Sequence, residues 1–432
     1  MLSNFEGLTS IFRNSFHLAA GHAGAVIIRF LYLMVLVRWL SPVEYGKFSY
    51  GMSWYLILIV ITYLGQDIIL GRGIGRGEQH PKQLLDRTLF QRFIAICIVA
   101  LVSITTATIS DRDTGILPTL VAFTFAMAGR SLWIWSVWCL TAFERAKRAV
   151  VTDLIFRAIE VLCVLALFLF DEPGIFDVAA IHAASWCLQG SLGAVRARNA
   201  VPQHTQVGVN DTVSLWRDGV AGAIYAFGLA WFLQAPVLLF RYFGDPGPTL
   251  GHFALAFQLI GHLQVIPYLV GSAALPVLSR SAMRKDGKDR MLALAILAAV
   301  PVAGSILVAL AAVISPPLII ALFGEAYGDT TAVLLAGLWL LIPLGIAVLM
   351  QQFTLAAAQR PFLGVAAPLG GVVVMALLYG HMAAEQGYKG AIIATGVGMT
   401  VWAGIVLVSL LRMGFFKPNF VVKGVSIEAH KR

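Results

Sequence analysis

Met291-Leu-Ala-Leu-Ala-Ile-Leu-Ala-Ala-Val-Pro-Val-Ala-Gly-Ser-Ile-Leu-Val-Ala-Leu-Ala-Ala-Val-Ile314 holds no charged residue. As a helix rising ~1.5 Å per residue it is ~36 Å long, enough to cross the ~30 Å hydrocarbon core of a bilayer. Runs of the same kind recur on both sides, at about 16–37, 48–70, 89–109, 116–140, 149–170, 175–195, 215–240, 250–275, 291–314, 331–352, 361–382 and 390–411. Of the 432 residues, 59% are hydrophobic and only 12% charged, whereas a soluble domain carries roughly 25% charged residues. A soluble fold is thereby excluded, and an all-α integral membrane protein with twelve transmembrane helices is expected.

The formal charge of +9 is not a nucleic-acid signal, because Lys and Arg are confined to short segments between apolar runs. It reads as topology. With an inner N-terminus, 23 of the 31 basic residues fall on the cytoplasmic side, among them Arg72, Arg76, Arg92, Arg145, Arg280 and Arg284. Only Arg38, Lys47, Arg112, Arg241 and Lys389 fall outside, and Arg29, Arg130 and Arg157 lie within spans. Positively charged loops stay inside, so both termini are expected in the cytoplasm. No basic n-region or A-x-A cleavage site opens the chain, so no removable signal peptide is expected; residues 2–14 fit a short amphipathic helix in the interface.

Residues 1–198 are expected to form an N-terminal six-helix lobe, 199–214 a polar cytoplasmic linker with Pro202 and Asn210, and 215–432 a C-terminal six-helix lobe with a cytoplasmic tail. Six helices per lobe bring both halves into the membrane in the same direction, which predicts a parallel repeat about a pseudo-two-fold axis. Tyr45-Gly46-Lys47-Phe48 echoes Leu250-Gly251-His252-Phe253, and Ala142-Phe143-Glu144-Arg145 echoes Ala357-Ala358-Gln359-Arg360.

Arg29 and Arg130 stand near the middle of the first and fourth spans. A charge facing lipid there costs upward of ~2.5 kcal/mol, so each turns inward, either to backbone carbonyls of a neighbouring helix or to line a cationic cavity. Arg157 and Glu160 are three apart on the fifth span, where they share a face and can pair. Asp67, beside Gln66, can pair with Arg72 or Arg76. His17, His22, His182 and His381 read as packing residues. His252 and His262 stand out because the eighth span also carries Gln258 and Gln264. Cys97, Cys139, Cys163 and Cys187 lie in apolar runs without C-x-x-C spacing and read as packing residues. No metal or cofactor is expected. Asp111-Arg112-Asp113 mimics a metal-binding D-x-D but lies in a short outer turn. Gly71-Arg72-Gly73-Ile74-Gly75-Arg76-Gly77 lacks the G-K-[ST] ending of a phosphate loop. Pro236, Pro267, Pro301, Pro343 and Pro368 fall inside spans of the second half, where proline kinks a helix.

Leu40-Ser41-Pro42-Val43-Glu44-Tyr45-Gly46-Lys47-Phe48 resembles the L-G-P-x-E-Y-G-x-F segment of polysaccharide flippases, the O-antigen (Wzx-type) branch of the MATE-like MOP superfamily. Leu64-Gly65-Gln66-Asp67, Ala274-Leu275-Pro276-Val277-Leu278-Ser279-Arg280, Leu322-Phe323-Gly324-Glu325-Ala326-Tyr327 and Ala357-Ala358-Gln359-Arg360 agree in order, with Gln359 in place of a usual Gly. The resemblance implies a MATE-like fold whose first, second, seventh and eighth helices border a central cavity, so that Arg29, His252 and His262 share one cleft. It also implies a bacterial inner-membrane flippase, without enzymatic activity or cofactor, for a polyprenyl-diphosphate-linked oligosaccharide in O-antigen or exopolysaccharide synthesis. A polysaccharide polymerase and other assembly proteins would be its partners. On that reading Arg29, Arg130, Arg157, His252 and His262 hold the substrate, and Glu160 and Asp67 serve ion coupling. Two rivals remain: a cation-coupled MATE-type antiporter, which needs buried carboxylates, and a non-transporting subunit of a polysaccharide assembly complex. A membrane polymerase or ligase would need a large outer loop, and none is present in the sequence.

Overall fold

The computed structural model describes residues 21, 24–63, 65–66, 69–70, 74, 81–111, 115–143, 145–170, 173–200, 212–264, 287–356 and 362–412. They are helical throughout, with no strand among the described residues. The helices are α1 (24–39), α2 (Pro42–Tyr63), α3 (Pro81–Ser110), α4 (Leu117–Ala142), α5 (Ala146–Phe170), α6 (Ile175–Arg198), α7 (Thr212–Phe243), α8 (Pro248–Leu263), α9 (Gly287–Phe323), α10 (Thr330–Gly337), α11 (Leu341–Ala356) and α12 (Phe362–Arg412). Among the described residues, seven helical segments are long and apolar enough to cross a membrane. α12 alone has 51 residues, and Gly387 (φ 57°, ψ −136°) breaks it into two pieces, each long enough to span.

The surface is that of a protein dissolved in lipid. Leu101 on α3 is 69% exposed and Val313 on α9 is 77% exposed, within long rows of exposed aliphatic and aromatic residues. In water such rows would aggregate; in a bilayer they meet their own solvent, while each helix satisfies its own backbone. The chain is a multi-pass membrane protein. Cys97 and Cys163 belong to this exposed surface, Cys139 is buried as expected, and all four cysteines are free.

The chain divides into two compact units, Met1–Ala223 and Ile224–Arg432. The division falls inside α7, whose start packs on the N-terminal unit. Gly65, at φ +66°, lies against Gly219, and a Cβ there would sit 2.0 Å from the Gly219 carbonyl oxygen. Residues 201–211 of the expected linker lie outside the described residues, as do the interfacial segment 2–14 and the C-terminal tail.

Local chemistry explains several helix starts. Ser41 caps α2 in a reciprocal box: its Oγ accepts from the Glu44 N–H (3.3 Å), and Glu44 Oε2 accepts from the Ser41 N–H (3.1 Å) and hydroxyl (2.9 Å). Pro42 then occupies the first helical position, where no N–H is needed. Before α8, Asp245 accepts from the Thr249 hydroxyl (2.6 Å) and the Gly247 N–H (2.9 Å), which together hold its carboxyl below the usual range.

In the N-terminal unit α4 and α6 touch backbone to backbone. A Cβ at Gly190 would lie 2.1 Å from the Gly129 carbonyl oxygen, and one at Gly129 2.4 Å from the Cys187 nitrogen. Small residues at such a crossing let membrane helices approach closely. Pro236, Pro301 and Pro368 are interior to their helices, joined by Pro316 and Pro317 of α9. Pro343 lies inside the Thr330–Thr354 span, in the first turn of α11 just after a 3-10 turn at Leu338–Leu340. Pro267 lies outside the described residues.

Candidate functional site

The fifth helix carries Asp153, Arg157 and Glu160 at spacings of four and three, and the sixth carries His182, Ser185, Trp186 and Gln189 at i, i+3, i+4 and i+7. Each set therefore forms one polar stripe, and the two stripes bond to each other in the N-terminal unit. Arg157 is 5% exposed and Glu160 3% exposed. Arg157 Nη1 donates to Glu160, while Nη2 donates to Ser185 Oγ (3.1 Å) and Gln189 Oε1 (2.7 Å). Its guanidinium lies 3.7 Å from the Trp186 ring centroid, and its Nε has no hydrogen-bond partner among the described residues. Gln189 passes the chain on, donating to Asp153 Oδ1 at 2.8 Å.

Glu160 is bonded on its other side by His182 Nδ1. His182 Nε2 faces two donors, Trp186 Nε1–H at 3.0 Å and the Tyr55 hydroxyl at 3.1 Å. A ring nitrogen that receives an indole N–H is an acceptor, so the hydrogen-bond network assigns the proton to Nδ1 and leaves the ring neutral. The Tyr55 oxygen in turn accepts from Arg130 Nη1 at 2.6 Å. One directional chain thus runs from Arg130 through Tyr55 and His182 to Glu160, where Arg157 meets it from the opposite side.

Arg130 also lies 4.9 Å from the Trp186 ring centroid and 5.7 Å from that of Tyr55. Arg29, on α1, is close enough to feel the charges of Arg130, Asp153 and Arg157. Among the described residues it makes no hydrogen bond or ion pair. Tyr32, one turn on, stacks on His182 with ring centroids 6.4 Å apart and has a buried hydroxyl without a hydrogen-bond partner among the described residues. Three arginines thus gather around two carboxylates, Asp153 and Glu160, with His182 neutral, leaving an excess of one positive charge.

The candidate residues separate accordingly. Arg29 lies within electrostatic reach of Arg130; Arg157 and Glu160 pair, and Arg157 Nε is unengaged among the described residues. Asp67 lies outside the described residues, as do Arg72 and Arg76. His252 belongs to the C-terminal unit, where Nδ1 meets Thr330 Oγ1 at 3.1 Å, Nε2 lies 4.0 Å from the exposed Asp329, and the ring meets Tyr327 edge-on. His262 is ten residues further along α8, ~15 Å of helix away, so the two histidines do not converge on one group.

Tyr55, Trp186, Gln189 and Asp153 are not among the residues singled out from the sequence, and His182, expected to pack, is instead a hydrogen-bonding member of the network. The signal was there: two polar stripes at helical spacing on neighbouring helices. Arg92, counted with the inner loops, is 1% exposed inside α3 and donates to Gln66 Oε1 at 2.8 Å. Asp111 of the D-x-D string is buried and accepts from the Tyr50 hydroxyl at 2.8 Å, fastening the end of α3 to α2.

The profile described as "Polysaccharide biosynthesis protein" matches residues 11–282, more than half of the chain. The chain belongs to the polysaccharide biosynthesis protein family. No curated protein matches it. Solved structures match nearly end to end at low identity, and so speak for the fold. An inward-facing multidrug resistance MATE family transporter of the MOP superfamily has TM-score 0.68 and 14% identity, over 91% of this chain and 95% of that one. A MOP superfamily transporter from Pyrococcus furiosus, described as having a binding pocket of reversed polarity, has TM-score 0.67 and 11% identity, over 94% and 96%. The lipid II flippase MurJ in an inward closed conformation has TM-score 0.61 and 13% identity, over 91% and 87%. The fold is that of MATE-like MOP transporters.

Proposed function

We propose that the protein is a flippase that moves a polyprenyl-diphosphate-linked oligosaccharide, a polysaccharide repeat unit, across the bacterial inner membrane by alternating access between two six-helix lobes. Both termini lie in the cytoplasm on this reading, and a polysaccharide polymerase and other assembly proteins act on the delivered unit. The observation that carries it is Arg29, a guanidinium within a membrane helix with no counter-charge bonded to it among the described residues and within electrostatic reach of Arg130, whose hydrogen bond goes to a neutral hydroxyl. A diphosphate diester brings two negative charges that leave water cheaply only if met by such donors. The match to a polysaccharide biosynthesis family and the fold shared with a lipid II flippase support the same assignment.

A cation antiporter is disfavoured by the sign of the site, since both carboxylates already face arginine or amide donors. Cells lacking the protein should accumulate lipid-linked repeat units on the cytoplasmic leaflet. Repeat units reaching the outer leaflet at the normal rate in such cells would overturn the reading.

A further inference from the structure

We propose that His182 takes up a proton when a diphosphate occupies the Arg29–Arg130 end of the network and gives it up when the anion leaves. The inference rests on the diphosphate reading above and adds to it a specific site of proton linkage. Its basis is the position of one atom: Tyr55 Oη is 2.6 Å from Arg130 Nη1 and 3.1 Å from His182 Nε2, so anion site and imidazole are two hydrogen bonds apart.

The groups facing His182 fix the sign. From α5 come Glu160, bonded to Nδ1, and Arg157; from α4 comes Arg130; from α2, Tyr55; from α1, Tyr32 in ring contact with it, with Arg29 nearby. Glu160 favours an imidazolium, and the arginines oppose it. A bound anion with two negative charges cancels the opposition from Arg29 and Arg130 and leaves Glu160 in place, so proton affinity at Nε2 rises on binding. The proton comes from water. A new Nε2–H bond forms, Tyr55 turns its own hydrogen away and accepts from the ring instead, and Trp186 loses its acceptor. Tyr55 can then offer its hydrogen to a phosphate oxygen, so protonation and anion binding reinforce each other. By linkage, proton uptake on binding requires affinity to rise as pH falls, by at most ~tenfold per pH unit for one proton.

The test uses citronellyl diphosphoglucose, a short-chain diester whose charge is constant between about pH 6 and about pH 8, titrated by calorimetry into the full chain in nanodiscs. Repeating the titration in buffers of different ionisation enthalpy counts the protons taken up. Uptake of a measurable fraction of a proton by the wild type, lost in His182→Gln, is the expected result. Binding without uptake in the wild type overturns the proposal and leaves the diphosphate reading standing. Uptake unchanged in His182→Gln also overturns it. Failure of the diester to bind the wild type overturns the diphosphate reading, and this inference with it. Should His182→Gln not fold, Glu160→Gln decides the same point: without the carboxylate that supports the imidazolium, uptake should vanish, and its persistence contradicts the proposal.

Discussion

The hydroxyl of Tyr55 accepts a 2.6 Å hydrogen bond from Arg130 and faces the imidazole of His182 at 3.1 Å, so one phenol oxygen holds an arginine of α4 to a histidine of α6. Tyr55→Phe removes that oxygen but keeps the ring, which stacks on Phe123 with centroids 5.5 Å apart. Arg130 then loses its only hydrogen bond among the described residues. Transport should fall about tenfold while protein abundance holds, since one bond to a charged donor contributes ~1.5–3 kcal/mol. Export of repeat units per unit of membrane protein measures it.

Glu160→Ala leaves Arg157 buried without its counter-charge. Breaking such a pair costs ~3–5 kcal/mol, enough to lower the unfolding temperature by many degrees in detergent. Replacing both residues at once, Arg157→Met with Glu160→Leu, should recover much of that loss in thermal unfolding, although transport should remain impaired.

Gly190→Leu drives a side chain into the Gly129 carbonyl, where even a Cβ would lie at 2.1 Å. The backbones of α4 and α6 must separate, carrying His182 and Trp186 away from Arg130. Folded protein should be scarce or absent on size-exclusion chromatography, whereas Gly404→Ala, with nothing within 4 Å of its Cβ, should behave as wild type.

The capping box at α2 predicts a smaller effect. Ser41→Ala and Glu44→Ala should each lower stability by ~1 kcal/mol, and the double variant should lose less than the sum because the two side chains bond reciprocally. Unfolding curves of the two single variants and the double variant give the comparison.

The apolar runs made the helical membrane fold legible, because lipid demands about 20 apolar residues per crossing and the chain can hide that requirement nowhere. Arg29, Arg130, Arg157 and Glu160 were legible for the converse reason: each is an exception inside such a run. His182 was seen but read as packing, and Tyr55 was not singled out at all. A tyrosine or histidine in a span is unremarkable until its neighbours are known, and which helix faces α6 is a tertiary fact. The pairing of α5 with α6 decides whether Glu160 meets only Arg157 or His182 as well. His252 and His262 lie ten residues apart on α8, and membership of one helix does not by itself give two side chains a shared face or depth. Ser41 and Glu44 entered the sequence reading as part of a family resemblance; in the structure the same residues are a helix cap, which gives that segment a physical cause independent of transport.

The claim on which everything else depends is that Arg29 and Arg130 receive the anionic head of the transported lipid. It is tested most directly by scoring, in a deletion strain, the leaflet on which lipid-linked repeat units reside when Arg29→Ala is expressed at wild-type abundance. The units should remain on the cytoplasmic leaflet with Arg29→Ala, and Arg29→Lys should restore part of their movement by returning the charge. Normal arrival at the outer leaflet in Arg29→Ala cells would contradict the account.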